Sequence, residues 1–275
     1  MYFYRTISNP MQERHVQRDR YFKEQAYTTH KYIIPFVGVD FVNTYVQQVL
    51  EVGCGEGGGL LPFLDKGITV TGVELGGNKV ENARKFLTDH PNVDKLSLVC
   101  DNIFNFSTPS KFDLIIVRDV VEHIHPQQPF IAFLQNLLTE KGRLFFAFPP
   151  WQNPFGGHQQ ICKGKILSHL PFFHLLPANL YKKVLQWGGE SARTIDDLLE
   201  IKQTGVTIER FQKIVKESSF CIVKEAYYFI NPNYEIKFGM KPREAFRCLS
   251  SIPGLRNYVV TSYYCVLVKQ KDEVR

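Results

Sequence analysis

Apolar residues in this chain come in short runs rather than long stretches. Gln48 to Val52, Thr69 to Glu74, Leu96 to Cys100, Phe112 to Val117 and Arg143 to Phe148 are each rich in Val, Ile, Leu or Phe, and each is too short for a helix. The spacing predicts five strands there. Between them, Leu60 to Leu64, Lys79 to Thr88 and Phe130 to Thr139 carry helical spacing or helix formers. Strands alternating with helices predict a parallel sheet with helices on both faces, because parallel strands need crossovers that then cover the sheet. After Phe148 the rhythm breaks. Residues 149–190 are rich in Pro, Gly, His and aromatics and fit no strand, so they read as an insertion over the carboxyl edge of the sheet. Order resumes at Thr194, read as the cap of a helix stopped by Gly205, and Thr207 is read as the cap of the next. Two further β-rich runs, Phe220 to Ile230 and Tyr258 to Lys269, are linked through Pro232, Pro242 and Pro253. If they pair, one runs antiparallel, giving a mixed seven-stranded sheet. Residues 1–46 read as an N-terminal helical extension with a helix over Met11 to Ala26, and residues 47–275 as one domain.

The sharpest local signal is VLEVGCGEGGG, Val49 to Gly59, directly after the first strand. Gly53, Gly55 and Gly58 satisfy G-x-G-x-x-G, which lets the backbone approach a ligand at a helix N-terminus. Glu74 ends the second strand 21 residues beyond Gly53, where a carboxylate can accept hydrogen bonds from both ribose hydroxyls. That much would suit NAD, and an NAD-dependent oxidoreductase is the rival reading. Three features point elsewhere. Glu51 lies in the strand just before the glycines, where a carboxylate suits a cationic amino-acid moiety better than a pyrophosphate. Asp101 follows the third strand, where an acid can accept from an adenine amine. The fourth strand leads into Arg118, Asp119, Glu122 and His123, a polar cluster at the edge where open α/β sheets bind ligands.

VLEVGCGEGGG, VTGVEL, VCDNIF, FDLIIVRDVVEHI and KGRLFFAFP together resemble the successive motifs of class I methyltransferases that use S-adenosylmethionine (SAM), in their small-molecule branch. The resemblance covers about Val49 to Phe148 and, more loosely, the C-terminal elements. It implies a Rossmann-like α/β fold and SAM as cofactor. Carried over by position, Glu51, Gly53 and Gly55 would hold the methionine part, Glu74 the ribose, and Asp101, Asn102 and Ile103 the adenine, with Cys54 and Leu75 also among the cofactor-binding positions. The backbone carbonyl of Arg118 would meet the SAM amino group. A protein of the same fold that binds SAM without catalysis is a further alternative.

Methyl transfer needs alignment, exclusion of water and, for a hydroxyl or amine acceptor, a base. His158, in a glycine-bearing turn after the fifth strand, is the leading candidate; Glu122 and His123 follow the fourth strand, and Asp119 is a substrate contact. No metal is required. The acceptor expected is a small molecule methylated on oxygen or nitrogen, with oxygen favoured; a sugar, a quinone precursor or a lipid-linked glycan would all fit. Residues 161–187 mix large apolar side chains with Pro171 and Pro177 and leave three uses open: a substrate lid, a membrane-surface contact, or extra core, of which the lid is favoured. Phe148-Pro149-Pro150-Trp151 is similar to the signature of base-amino methyltransferases, but it follows the fifth strand and has Phe148 where a polar residue belongs.

Composition changes this picture little. With 44% hydrophobic and 22% charged residues the chain is ordinary for a globular protein, and a net charge of +6 does not argue for nucleic acid. Six cysteines without a C-x-x-C pair suit reduced thiols, and no secretory signal or bilayer-length apolar run is evident, so a cytoplasmic location is expected. One charge concentration stands out: Lys237, Lys241, Arg243, Arg247 and Arg256, read as a solvated face or as a site for an acidic partner.

Overall fold

The structure, a computed structural model, describes residues 17–270. Helix α1 (Arg18–Thr28) runs through a π-helical stretch, Thr29–Ile33, into α2 (Ile34–Val37) and α3 (Val39–Thr44). Residues 11–16 of the expected N-terminal helix lie outside the described range. The core then alternates as expected: β1 (Gln48–Val52), α4 (Leu61–Leu64), β2 (Thr69–Glu74), α5 (Gly77–Leu87), β3 (Leu96–Cys100), β4 (Phe112–Arg118), α6 (Gln127–Leu137) and β5 (Leu138–Phe148). The insertion contributes α7 (Lys165–His169) and α8 (Ala178–Trp187), followed by α9 (Ala192–Thr204) and α10 (Ile208–Lys216). The chain closes with β6 (Phe220–Ile230), α11 (Asn233–Phe238), β7 (Arg243–Glu244), α12 (Arg247–Ser250), α13 (Arg256–Val259) and β8 (Ser262–Lys269).

The strands form one sheet in the order β3-β2-β1-β4-β5-β8-β6-β7. The first five are parallel and β8 is antiparallel to both β5 and β6, as the pairing argument required. The sheet has eight strands rather than seven, the extra one being the two-residue edge strand β7 against β6. Because strand side chains alternate, β1 sends Leu50 and Val52 to one face and Val49 to the other. The first face packs on Phe130, Ile131 and Leu134 of α6 and on Ile208, Phe211 and Val215 of α10. The second packs on Ile33, Ile34, Phe36 and Val37 of the N-terminal helices and on Leu60, Phe63 and Leu64.

Several boundaries differ from the sequence reading for local reasons. The cap of α9 is Ser191, whose hydroxyl accepts from the Thr194 amide at 3.2 Å, so Thr194 lies inside the helix. Gly205 stops it in a left-handed conformation and Thr207 caps α10, both as expected. The last strand starts at Ser262, not Tyr258, because Arg256 and Asn257 are drawn into α13 by Glu209. The insertion builds a small core of its own from Cys162, Leu167, Phe173, Tyr181 and Leu185 with Ile195 and Leu198 of α9. Trp151 of the Phe-Pro-Pro-Trp run belongs to that packing: its amide donates to Val206 and its ring meets His174 edge-on at 4.7 Å.

Candidate functional site

The parallel strands end on one edge, and a cavity of about 740 Å³ opens there, within the range of small-molecule sites. Its wall is built from the loops that leave β1, β2, β3 and β4. Gly53 turns the chain off β1 with φ +70°, and a Cβ on it would lie 2.3 Å from Cγ2 of Val120, so only glycine lets the two loops meet. Gly58 has another task. A Cβ there would lie 2.1 Å from the carbonyl oxygen of Phe22, so this third glycine of the motif admits α1 rather than a ligand.

Glu74 is 8% exposed and lines the cavity. Its carboxylate accepts from the Gly55 amide at 3.0 Å and the Gly76 amide at 2.9 Å, and pairs with Lys79 at 3.2 Å. The glycine-loop amide that a pyrophosphate would use is therefore already taken by a carboxylate. At the end of β3, Asp101 accepts from the Asn102 amide at 2.6 Å and from the Asn105 side chain at 3.0 Å, while Asn102 accepts from Phe104. Leu75 and Phe104 stand exposed at the same rim. The pair gives this end of the cavity an apolar surface beside polar groups, the chemistry a purine ring needs.

The other end is more heavily charged. Arg118 lines the cavity and pairs with Glu51 at 3.2 Å. Glu51 is 2% exposed and does not reach the cavity wall itself; the structure puts it behind Arg118 instead of in the direct position expected. Burial raises its carboxyl to about 7, against the opposing pull of Arg118. Asp119 follows with φ +54°, a left-handed backbone that Asp tolerates better than most residues, and its carboxyl lines the cavity. Burial raises the Asp119 carboxyl too, offset by Arg118 and Lys237. Helix α1 supplies Arg18, Tyr21 and Gln25 to the same wall, with Arg18 paired to Glu56.

Of the imidazoles proposed from sequence, His123 lines the cavity and His158 does not. His158 sits against His123, ring centroids 4.9 Å apart, with Nε2 4.0 Å from Oε1 of Glu122. Glu122 is buried, and neither carboxylate oxygen has a hydrogen-bond partner among the described residues. Ligating atoms of the three side chains lie within 4.8 Å of one another, with Glu122 too far from either ring for a hydrogen bond yet the three close enough to surround one cation. Burial lowers His123, helped by Lys79, and takes His158 down to about 3. Burial also raises Glu122 well above the carboxylate range, with Asp119 adding to the rise. The cluster is thus driven toward its uncharged forms.

Residues 50–146 match the family model described as a methyltransferase domain. Over that stretch the chain is similar to methyltransferase domains. Among curated proteins it is similar to a ubiquinone biosynthesis O-methyltransferase of Bartonella bacilliformis, 29% identical over 118 residues, which is 42% of this chain and 43% of that one. It is also similar to a malonyl-[acyl-carrier protein] O-methyltransferase of Priestia megaterium, 30% identical over 132 residues, 47% of this chain and 46% of that one. The matched region thus spans less than half the length of these relatives. Among solved structures, a magnesium protoporphyrin IX methyltransferase from Synechocystis PCC 6803 with bound SAH superposes with a TM-score of 0.53 at 16% identity, covering 93% of this chain and 87% of that one. At that identity the likeness speaks for the fold.

Of the residues expected at the site, Gly53, Cys54, Gly55, Glu74, Leu75, Asp101, Asn102, Ile103, Arg118, Asp119 and His123 come together on one cavity, whereas Glu51, Glu122 and His158 do not line it. The sequence reading missed Arg18, Tyr21, Gln25, Lys79 and Lys237, which also line it. Residues 149–190, expected as a lid, contribute nothing to this wall; α1 occupies that role, and the insertion reaches the site only through His158.

Proposed function

We propose that this chain transfers a methyl group from SAM to an oxygen, or a nitrogen, of a small-molecule acceptor. The observation that carries the reading is the single cavity lined by the tips of β1, β2, β3 and β4, with polar loops along its length and His123 at its wall. A nucleoside with an amino-acid tail fits this lining. Asp101 and Asn102, beside Leu75, Ile103 and Phe104, suit the purine; Glu74 suits the ribose; the Gly53 to Gly55 backbone, the Arg118 carbonyl and Arg18 suit the charged tail. The occupied Gly55 amide counts against a pyrophosphate and hence against the dehydrogenase reading.

Bound SAM would supply an electrophilic methyl on a sulfonium. The protein's part is positional and protic. Asp119, held by its left-handed backbone, is suited to orient the acceptor, and His123, pushed toward its neutral form by desolvation and by Lys79, to take the acceptor's proton. His158, packed edge-on against His123 with its own Nε2 4.0 Å from Glu122, is suited to hold the His123 ring in place. The base assignment thus moves from His158 to its neighbour, with His158 as a positioning residue. Six free cysteines support a reducing, cytoplasmic setting. Isothermal titration with S-adenosylhomocysteine and with NAD tests the proposal. Saturable binding of the former alone is expected; preference for NAD, or no binding of either, would overturn it.

A further inference from the structure

Eleven of the nineteen exposed large hydrophobic residues fall within residues 161–187 and 240–258, less than a fifth of the described chain. Ile166 and Trp187 are each 79% exposed and Phe246 is 78% exposed. The two stretches meet, since the rings of Phe172 and Tyr258 lie 6.4 Å apart. Phe172 adopts φ +63°, a left-handed backbone unusual for a bulky side chain, with its amide fastened to the Pro154 carbonyl at 2.9 Å and its ring left outside. In α8, Tyr181 and Leu185 are buried in the insertion's core while Leu180 and Trp187, seven residues apart on one outer face, are exposed beside Lys182 and Lys183.

Charge decides what this face meets. Residues 161–187 hold four lysines and no acid; residues 240–258 hold Lys241, Arg243, Arg247 and Arg256 against Glu244 alone. Arg256 turns inward to Glu209 and Gln212, which leaves seven cations for the surface. A second copy docked face to face would set like charge on like. Nucleic acid would satisfy the cations and leave Ile166, Trp187 and Phe246 in water. Apolar side chains interspersed with lysine and arginine suit the boundary between acyl chains and anionic headgroups.

We propose that this face seats the protein on an anionic membrane surface. Among the described residues no helix is long and apolar enough to cross a bilayer, so the contact is peripheral and in-plane. None of these residues lines the cavity, and the proposal does not rest on methyl transfer. It does set the site beside a bilayer, because the segment that presents Phe172 is bonded to the loop bearing His158: Gln159 donates to the carbonyls of Pro154 and Leu170.

The test is sedimentation of the full chain with vesicles of phosphatidylglycerol and phosphatidylcholine, against phosphatidylcholine alone. Binding to the anionic vesicles with a blue shift of Trp187 emission is expected. The combined variant Ile166→Ser, Trp187→Ser, Phe246→Ser should lower partitioning by about tenfold or more, because these side chains would carry the apolar insertion. Lys182→Glu with Lys183→Glu should remove much of the salt-sensitive part. All five positions are exposed, and titration with S-adenosylhomocysteine checks that the variants stay folded. No partitioning onto anionic vesicles, equal partitioning of the serine variant, or a dimer that the serine variant abolishes would overturn the proposal. Vesicle binding without S-adenosylhomocysteine binding would sink the methyl-transfer reading and leave this one standing.

Discussion

Replacement of Glu74 tests the cofactor assignment most directly, because one carboxylate is asked to do two things. It bridges the amides of Gly55 and Gly76, at 3.0 and 2.9 Å, and the proposed function gives it the ribose hydroxyls as well. Hydrogen bonds to a charged acceptor are worth about 1.5–3 kcal/mol each. Glu74→Ala should therefore destabilise the fold by up to about 3–6 kcal/mol through the two amides, and weaken S-adenosylhomocysteine by about 1–3 kcal/mol, roughly 5- to 150-fold. The two losses can be separated. Glu74→Gln keeps one carbonyl acceptor for the loop but offers an N–H in place of the second oxygen, so more stability than affinity should return. The assay is calorimetric titration of wild type and both variants with S-adenosylhomocysteine and with its 2′,3′-dideoxy analogue, alongside denaturant unfolding. If Glu74 holds the ribose, the analogue binds all three proteins with nearly equal affinity once loop stability is restored. A folded Glu74→Ala protein that binds S-adenosylhomocysteine as wild type does would refute the assignment.

His123→Ala should lower turnover by about 10² to 10⁴-fold while leaving S-adenosylhomocysteine affinity within about twofold, as loss of a general base does; a variant with wild-type turnover removes His123 from the chemistry. Glu51, raised from 4.5 to about 7, binds a proton in the folded state that it has lost in the unfolded one, so its contribution is present below pH 4.5 and lost as pH rises through 7. Denaturant midpoints across that window should fall for wild type and fall less for Glu51→Gln; parallel curves would show the carboxyl to be ordinary. Phe211 packs its ring against Phe146, Phe148 and Tyr263 at 4.9, 5.0 and 6.2 Å, so Phe211→Ala should cost about 3–5 kcal/mol in urea unfolding. A cost below about 1 kcal/mol would mean the core collapses onto the vacancy.

The sheet was legible because its strands are short β-rich runs bounded by turn residues, so that β2, β3 and β6 begin and end where those runs do. The boundary of β8 was not. Tyr258, Val259 and Val260 read as strand by propensity, yet Glu209, some fifty residues earlier, draws Arg256 and Asn257 into a helical turn. No window of sequence contains both partners. The same holds for Gly58, which fits a ligand-binding pattern perfectly well and is required instead by Phe22, on a helix whose own sequence carries no mark of the cavity.

The candidate site divides along the same line. Positions fixed by strand register, such as Glu74 and Asp101, reach the cavity because a strand tip in a parallel sheet leaves little choice of direction. Glu51 shows the limit of that reasoning. It lies inside β1, before the strand tip, so Arg118 from the neighbouring β4 is interposed and takes its charge. His158 was placed by a different inference, that a glycine-bearing loop after β5 could swing an imidazole over the reacting atoms. The loop is packed rather than loose: Asn153 and Gln159 bond its own carbonyls, and the ring it holds lands against His123. The sequence named Glu122, His123 and His158, and the structure brings the three side chains together, with His123 alone of them on the cavity wall. Two of the three do not line the cavity, so under the proposed function His123 is the one placed to meet an acceptor's proton directly.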